Sequence, residues 1–202
     1  MSLSMKKSTD LRAVRTRRWL QDALRKLLKT KPYQKINIGE IVFKAEVARP
    51  TFYLHFSSKD ELLMSIFDDL FIDFRAALAE EVKKTELDYP LIGKLMFSCA
   101  RRNAEGLRVL LNAGLDSLVE QRFRIIISET GESIRAAHPI ADEAKVLTPY
   151  LDDFMSNGIF ALLERWIQED MPIPDEIMGL IIANMTKGVR EMLTDDNFKL
   201  TR

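Results

Sequence analysis

The residues best suited to bond-making chemistry are few and scattered. His55 and His138 are the two histidines, and neither stands in a pattern with an acid partner. Asp68-Asp69 and Asp152-Asp153 are adjacent carboxylate pairs. Neighbours on a helix point apart, so such pairs read as solvated surface rather than as a general acid and base sharing a substrate. Cys99 is the single cysteine and sits on an apolar stripe, which favours a buried structural thiol over a redox sensor. The sequence holds no Gly-rich phosphate loop, no HExxH and no Cys/His cluster at zinc spacing. No enzyme activity is expected, and no metal or cofactor. A different constellation stands out: Lys44, Arg49, Thr51, Tyr53 and Lys59 fall close together in a basic segment. Arginine offers a fork of donors that fits guanine, and the Thr and Tyr hydroxyls suit phosphate oxygens. That is the chemistry of holding a polyanion.

The charge distribution agrees. The formal net charge is zero, but residues 1–60 hold fourteen Lys/Arg against five Asp/Glu, and residues 61–202 hold sixteen against twenty-five. Halves opposed in this way suggest that the N-terminal one meets a polyanion, although two mutually complementary faces account for the numbers as well. Apolar residues make up 47% of the chain, enough for a sizeable core, and no run approaches the roughly 18 to 20 residues of a membrane span. No signal peptide opens the chain, and a lone cysteine fits a reducing compartment, so a cytoplasmic location is expected.

The elements that would position the basic cluster are helices. From about Thr9 to Thr30, Val14, Leu20, Ala23, Leu24, Leu27 and Leu28 recur at helical spacing among arginines and lysines, until Lys31-Pro32 stops the helix. Asn37-Ile38-Gly39-Glu40 has the form of a capping box and opens a second helix. A third starts at Ala48 with Pro50 in its first turn and turns Phe52 and Phe56 inward. Ser58-Lys59-Asp60-Glu61 is a second capping box, opening a long helix to about Lys84 that carries Leu62, Leu63, Ile66, Phe67 and Leu70. Further helices are expected over Leu91–Cys99, over a short segment between Gly106 and Gly114, and over Asp116–Ala137, Asp142–Asp170 and Ile177–Met192. No segment alternates like a strand. The expectation is an all-α chain of about nine helices, with a head at 9–58 and a body at 59–202.

A short helix, a tight turn and a second short helix braced by a third form a helix-turn-helix, in which the second helix enters the major groove. The run IxxIVxxAxVxRPTFYxHFxSKxELL resembles the N-terminal domain of TetR-type transcriptional regulators over roughly Trp19 to Leu63. The resemblance implies that Arg49, Thr51, Tyr53, His55 and Lys59 lie at the DNA surface, with Asn37 near a phosphate. One departure stands in the turn. The position before Val47, usually glycine in that family, is Glu46, and a left-handed backbone there costs about 1 kcal/mol.

The remainder resembles the family's ligand-binding and dimerisation domain, with Tyr150–Ile177 similar to the C-terminal type found among Firmicutes members. Phe71, Phe74, Met96, Phe97 and Phe123 are candidates to line an effector cavity, although aromatics at helical spacing are more often plain core. Arg101, Arg102 and Arg122 suit an anionic effector or, equally, solvated helix faces. The last two stripes, with Met155, Gly158, Ile159, Leu162 and Trp166 on one and Ile177, Leu180, Ile181, Met185 and Gly188 on the other, exceed what a monomer exposes. An isologous four-helix interface would bury them, with the glycines allowing close approach. The expected function is a ligand-responsive regulator, a repressor that binds a palindromic operator as a homodimer. The alternatives are a coactivator of the same fold that acts through a partner protein without binding DNA, and a helical adaptor or small-molecule carrier.

Overall fold

A computed structural model describes residues 2–112 and 115–194. Its helices, in chain order, are α1 (Ser2–Leu28), α2 (Ile38–Lys44), α3 (Arg49–Tyr53), α4 (Lys59–Leu70), α5 (Ile72–Glu81), α6 (Tyr89–Arg102), α7 (Ala104–Leu111), α8 (Asp116–Ala137), α9 (Thr148–Gln168), α10 (Asp175–Met185) and α11 (Lys187–Thr194). Single 3₁₀ turns occupy Tyr33–Lys35 and Asp142–Leu147. The all-α expectation holds, with no strand among the described residues. Gly114, expected to bound the short sixth helix, lies outside the described residues.

The chain forms two compact units, Met1–Asp69 with Glu105–Asp116, and Leu70–Ala104 with Ser117–Arg202. The first is larger than the head expected at 9–58, because most of α4 and α7 belongs to it. Its core is built from Leu20, Leu24, Ile41, Phe52, Phe56 and Leu62, each at most 1% exposed. Val14, expected to face inward, is 60% exposed, so the buried stripe of α1 begins only at Leu20. One polar link crosses this core. Gln21 is buried and donates to Ser65 Oγ at 3.0 Å and to Asp69 Oδ2 at 2.8 Å, fixing α1 against α4.

The second unit closes around Phe71, Phe74, Phe97, Phe123 and Trp166, all buried. Ring centroids lie 6.0 Å apart for Phe71 and Phe123 and 5.1 Å apart, edge to face, for Phe97 and Trp166. Helices α6 and α10 approach so closely that only glycine fits. A Cβ on Gly179 would sit 2.4 Å from the Pro90 carbonyl oxygen, and one on Gly93 would sit 2.8 Å from the Gly179 Cα.

Two expected helices are divided. The long fourth helix breaks at Phe71 (φ −110°, ψ 9°) because a side chain stands in its hydrogen-bond ladder. The Leu70 carbonyl accepts from Cys99 Sγ and from Asn103 Nδ2, both at 2.9 Å. The final helix breaks at Thr186, where Arg190 Nη2 takes the Ala183 carbonyl at 2.8 Å. The expected helix over Asp142–Asp170 begins as 3₁₀ helix over Asp142–Leu147 and is α-helical from Thr148, with Pro149 in its first turn.

Candidate nucleic-acid interface and effector cavity

The second and third helices are short, so their ends decide their geometry. Asn37 caps α2 as expected: its Oδ1 accepts from the Glu40 amide at 3.0 Å, and Glu40 accepts from the Asn37 amide at 3.0 Å. Lys31 donates to the same carboxylate, and that bond, with the Asn37 amide, holds Glu40 below the usual carboxylate range.

At its other end α2 closes in a Schellman motif. The Val47 amide donates to Val42 O at 3.0 Å and the Glu46 amide to Phe43 O at 3.2 Å. This pairing requires a left-handed residue at position 46, and Glu46 has φ 56°. The sequence expectation at this position is met by the geometry. The same device ends α9, where Met171 donates to Trp166 O at 2.7 Å and Asp170 has φ 66°.

The turn delivers α3 with its first residue exposed. Arg49, Tyr53 and Lys44 are exposed, whereas Thr51 and His55 are half-buried. Arg49 Nη2 lies 3.5 Å from the Tyr53 hydroxyl, a contact too long to hold either group back from another partner. Asn37, Arg49 and Lys59 border one shallow depression around Gly39. Lys59 itself is committed inward: its ammonium donates to Tyr33 O at 2.9 Å and Ile36 O at 2.7 Å, and lies 3.9 Å from the centre of the Tyr33 ring. Burial there lowers its pKa. The lysine thus braces the turn entering α2, a role its place at a helix start did not disclose. Burial and the bond to Asp60 raise the pKa of Tyr33. The second capping box is only half formed. Ser58 Oγ accepts from the Glu61 amide at 3.0 Å, but the Glu61 carboxylate reaches one residue further and accepts from the Ser57 amide and hydroxyl, both at 2.6 Å.

In the second unit the expected cavity lining is corrected. Phe71, Phe74, Phe97 and Phe123 are at most 1% exposed and fill the core. The cavity, of about 410 Å³, lies instead between α6, α8, α9, α10 and α11, and of the five expected residues Met96 alone lines it. Its wall also holds Tyr89, Arg135, His138, Asp152 and Arg190, which sequence reasoning did not bring together. No spacing signal joins these residues, because they come from four separate helices and a loop. The arginines considered for an anionic effector are tied down elsewhere. Arg101 donates to Asp175 at 2.6 Å and to Ile173 O at 3.1 Å and stacks on Trp166, while Arg102 lies 3.7 Å from Asp73. Arg122 has a partner too.

The residues expected at a subunit interface divide by burial. Ile159 and Trp166 are 6% and 3% exposed, so they serve their own unit's core. Met155, Leu162 and Ile181 are half-buried. Ile177, Leu180, Met185, Gly158 and Gly188 are exposed, and a Cβ on either glycine would meet nothing within 4 Å. On the same helix as Gly158, Phe154, which belongs to the apolar stripe legible in sequence, and Tyr150 are 72% and 74% exposed.

Comparison with known proteins places the N-terminal segment. Residues 20–66 match the family described as bacterial regulatory proteins, tetR family. Over 45 residues, 22% of this chain, the sequence is 40% identical to the HTH-type transcriptional regulator EthR of Mycolicibacterium smegmatis. Over 61 residues, 30% of the chain, it is 43% identical to the uncharacterized HTH-type transcriptional regulator YxbF of Bacillus subtilis. These matches span 21% and 16% of the two relatives' lengths. The solved structure of the dihydroxyacetone kinase operon activator DhaS shares the fold, with a TM-score of 0.54 at 18% identity over 89% of this chain and 98% of that one. Over residues 20–66, and there alone, the chain is similar to the tetR family of bacterial regulatory proteins.

Proposed function

We propose that the chain is a DNA-binding transcriptional regulator that occupies a palindromic operator as a homodimer and responds to a small effector. The observation that carries this reading is the α2–α3 unit, which leaves Lys44, Arg49 and Tyr53 exposed, with Arg49 beside Tyr53. Helix α3 lies in the major groove with Arg49 toward base edges. Thr51, Tyr53, His55 and Lys44 serve the phosphates, together with the Asn37 side-chain amide that the cap leaves free. Lys59 supports this surface from behind through its two carbonyl bonds. The stripe of Phe154, Gly158, Ile177, Leu180, Met185 and Gly188 pairs with its copy, the isologous arrangement that matches two readers to two half-sites. The cavity of the second unit holds the effector, which releases the operator by binding one arrangement of the dimer better than the other. Repression in the ligand-free state follows from that scheme.

A second reading, contact with a partner protein in place of DNA, is favoured by Phe43 and Leu54, which stand 85% and 82% exposed beside the same surface. One experiment separates the two. Duplexes selected by the full chain from a random-sequence pool are titrated at rising salt. Palindromic sites and a steep loss of affinity with salt support the reader. Absence of any selected duplex at low salt sinks it in favour of the partner reading.

A further inference from the structure

The cavity's wall says which chemistry it accepts, given the reading of it as the effector site. Its body is aliphatic, with Ile92, Met96, Ile127, Ile134, Val189 and Leu193 facing the space. Most of its polar side chains are already spent. Arg135 grips Asp152 through both carboxylate oxygens, at 3.0 and 2.9 Å. Thr130 donates to Ile126 O at 2.7 Å, Thr194 to Arg190 O at 3.0 Å, and His138 Nε2 lies 3.1 Å from Val82 O.

Arg190 differs. Its guanidinium lies 3.9 Å from the centre of the Tyr89 ring, and it donates to Ala183 O at 2.8 Å and to the Thr186 hydroxyl. Those bonds leave donors of the fork unspent. Among the described residues no carboxylate lies within ion-pair distance of it, and the adjacent Glu191 is drawn to Lys187 at 3.6 Å. Burial lowers the pKa of this arginine, which marks a cation poorly served by solvent. A half-buried arginine that forms no ion pair among the described residues and feels the adjacent Glu191 through space alone is stabilised, at the edge of an apolar space, by an anion that the space admits.

The geometry points to an apolar monocarboxylate as the effector, its hydrocarbon body against the aliphatic wall and its carboxylate on the free donors of Arg190. A single negative charge suits the one arginine of the wall that forms no ion pair among the described residues. A phosphate dianion would bring a second charge that nothing in the wall answers, since the Arg135 charge is already met by Asp152.

Decanoate and its neutral isostere decanamide test this by calorimetric titration of the full chain without DNA. Decanoate binds at least about tenfold more tightly, the ratio expected for a charge-assisted bond kept out of water. Arg190→Gln erases that ratio, and Arg190→Lys retains part of it. Ile134→Trp, whose indole occupies the cavity, removes binding of both. Circular dichroism establishes that each variant is folded. Equal affinity for the two probes in the unaltered chain overturns the anion inference while leaving the cavity as a ligand site. A carboxylate preference that survives Arg190→Gln, or no binding of either probe, overturns it as well. With DNA absent, failure of the operator reading leaves these outcomes unchanged.

Discussion

Glu46 occupies the one position of the α2–α3 turn that a Schellman motif reserves for a left-handed residue, at φ 56°. Replacing it by glycine keeps both closing bonds, since their donors and acceptors are backbone atoms. Relief of the left-handed conformation is worth about 1–2 kcal/mol. The extra freedom glycine gives the unfolded chain returns about 0.4–1 kcal/mol of that. The net expectation for Glu46→Gly is a gain of about 0.5–1 kcal/mol, with no gain from Glu46→Ala, which removes the carboxylate but keeps the Cβ. Urea unfolding followed by fluorescence reads this out, because Trp19 lies in the first unit and Trp166 in the second. The Trp19 midpoint rises at constant slope, and the Trp166 transition shifts less. On the proposed DNA-binding reading both variants strengthen duplex binding, since each removes a negative charge from the α2–α3 turn. The two effects are therefore separable. Equal stabilities for the Gly and Ala variants, or a loss with Gly, would refute the backbone argument.

Three further expectations follow from the packing. Gly179→Ala places a Cβ 2.4 Å from the Pro90 carbonyl oxygen, and forcing α6 and α10 apart costs about 1–3 kcal/mol, read as a lower urea midpoint of the Trp166 transition. Cys99 is buried, and desolvation raises its pKa, so the native thiol resists a thiol reagent at neutral pH and reacts on unfolding; fast native labelling would contradict its place in the α4–α5 break. Glu81 is buried against Lys84 and accepts from the Asp88 amide at 3.2 Å, and the bond from Lys84 leads in holding its carboxyl below the ordinary value. A carboxyl whose pKa is lower when folded contributes stability that is complete above the unfolded value near pH 4.3 and fades as pH falls through the folded one. Glu81→Gln therefore costs stability at neutral pH and flattens the loss in acid. A variant as acid-sensitive as the parent would rule this contribution out.

The parts of the molecule legible in sequence are those in which cause and effect lie within a few residues. The Asn37–Glu40 box, the proline in the first turn of α3 and the left-handed demand on Glu46 are all local. What escaped is made by distant partners. The stripe from Leu62 to Leu78 reads as one helix, and only the arrival of Cys99 and Asn103 from α6 divides it. Gly93 and Gly179 carry no mark in sequence, yet they let α6 and α10 pack with no room for a Cβ at either position. Gly158 and Gly188, singled out for close packing, face open space in the single chain. Phenylalanines are large and apolar, which marks them in sequence as candidate cavity lining, and for the same reason they fill the core. Arg190 drew no notice amid Val189, Met192 and Leu193, because its meaning depends on Tyr89 lying beneath it.

Affinity of the full chain for a selected palindromic duplex, measured against salt and compared with that of Arg49→Ala, tests the central claim most directly. The expected result is a dimer on each duplex, a logarithmic salt slope of several units, and a fall of about 1–3 kcal/mol per half-site for the variant, with relaxed preference at one base pair. Binding that ignores salt and is unchanged by Arg49→Ala would contradict it.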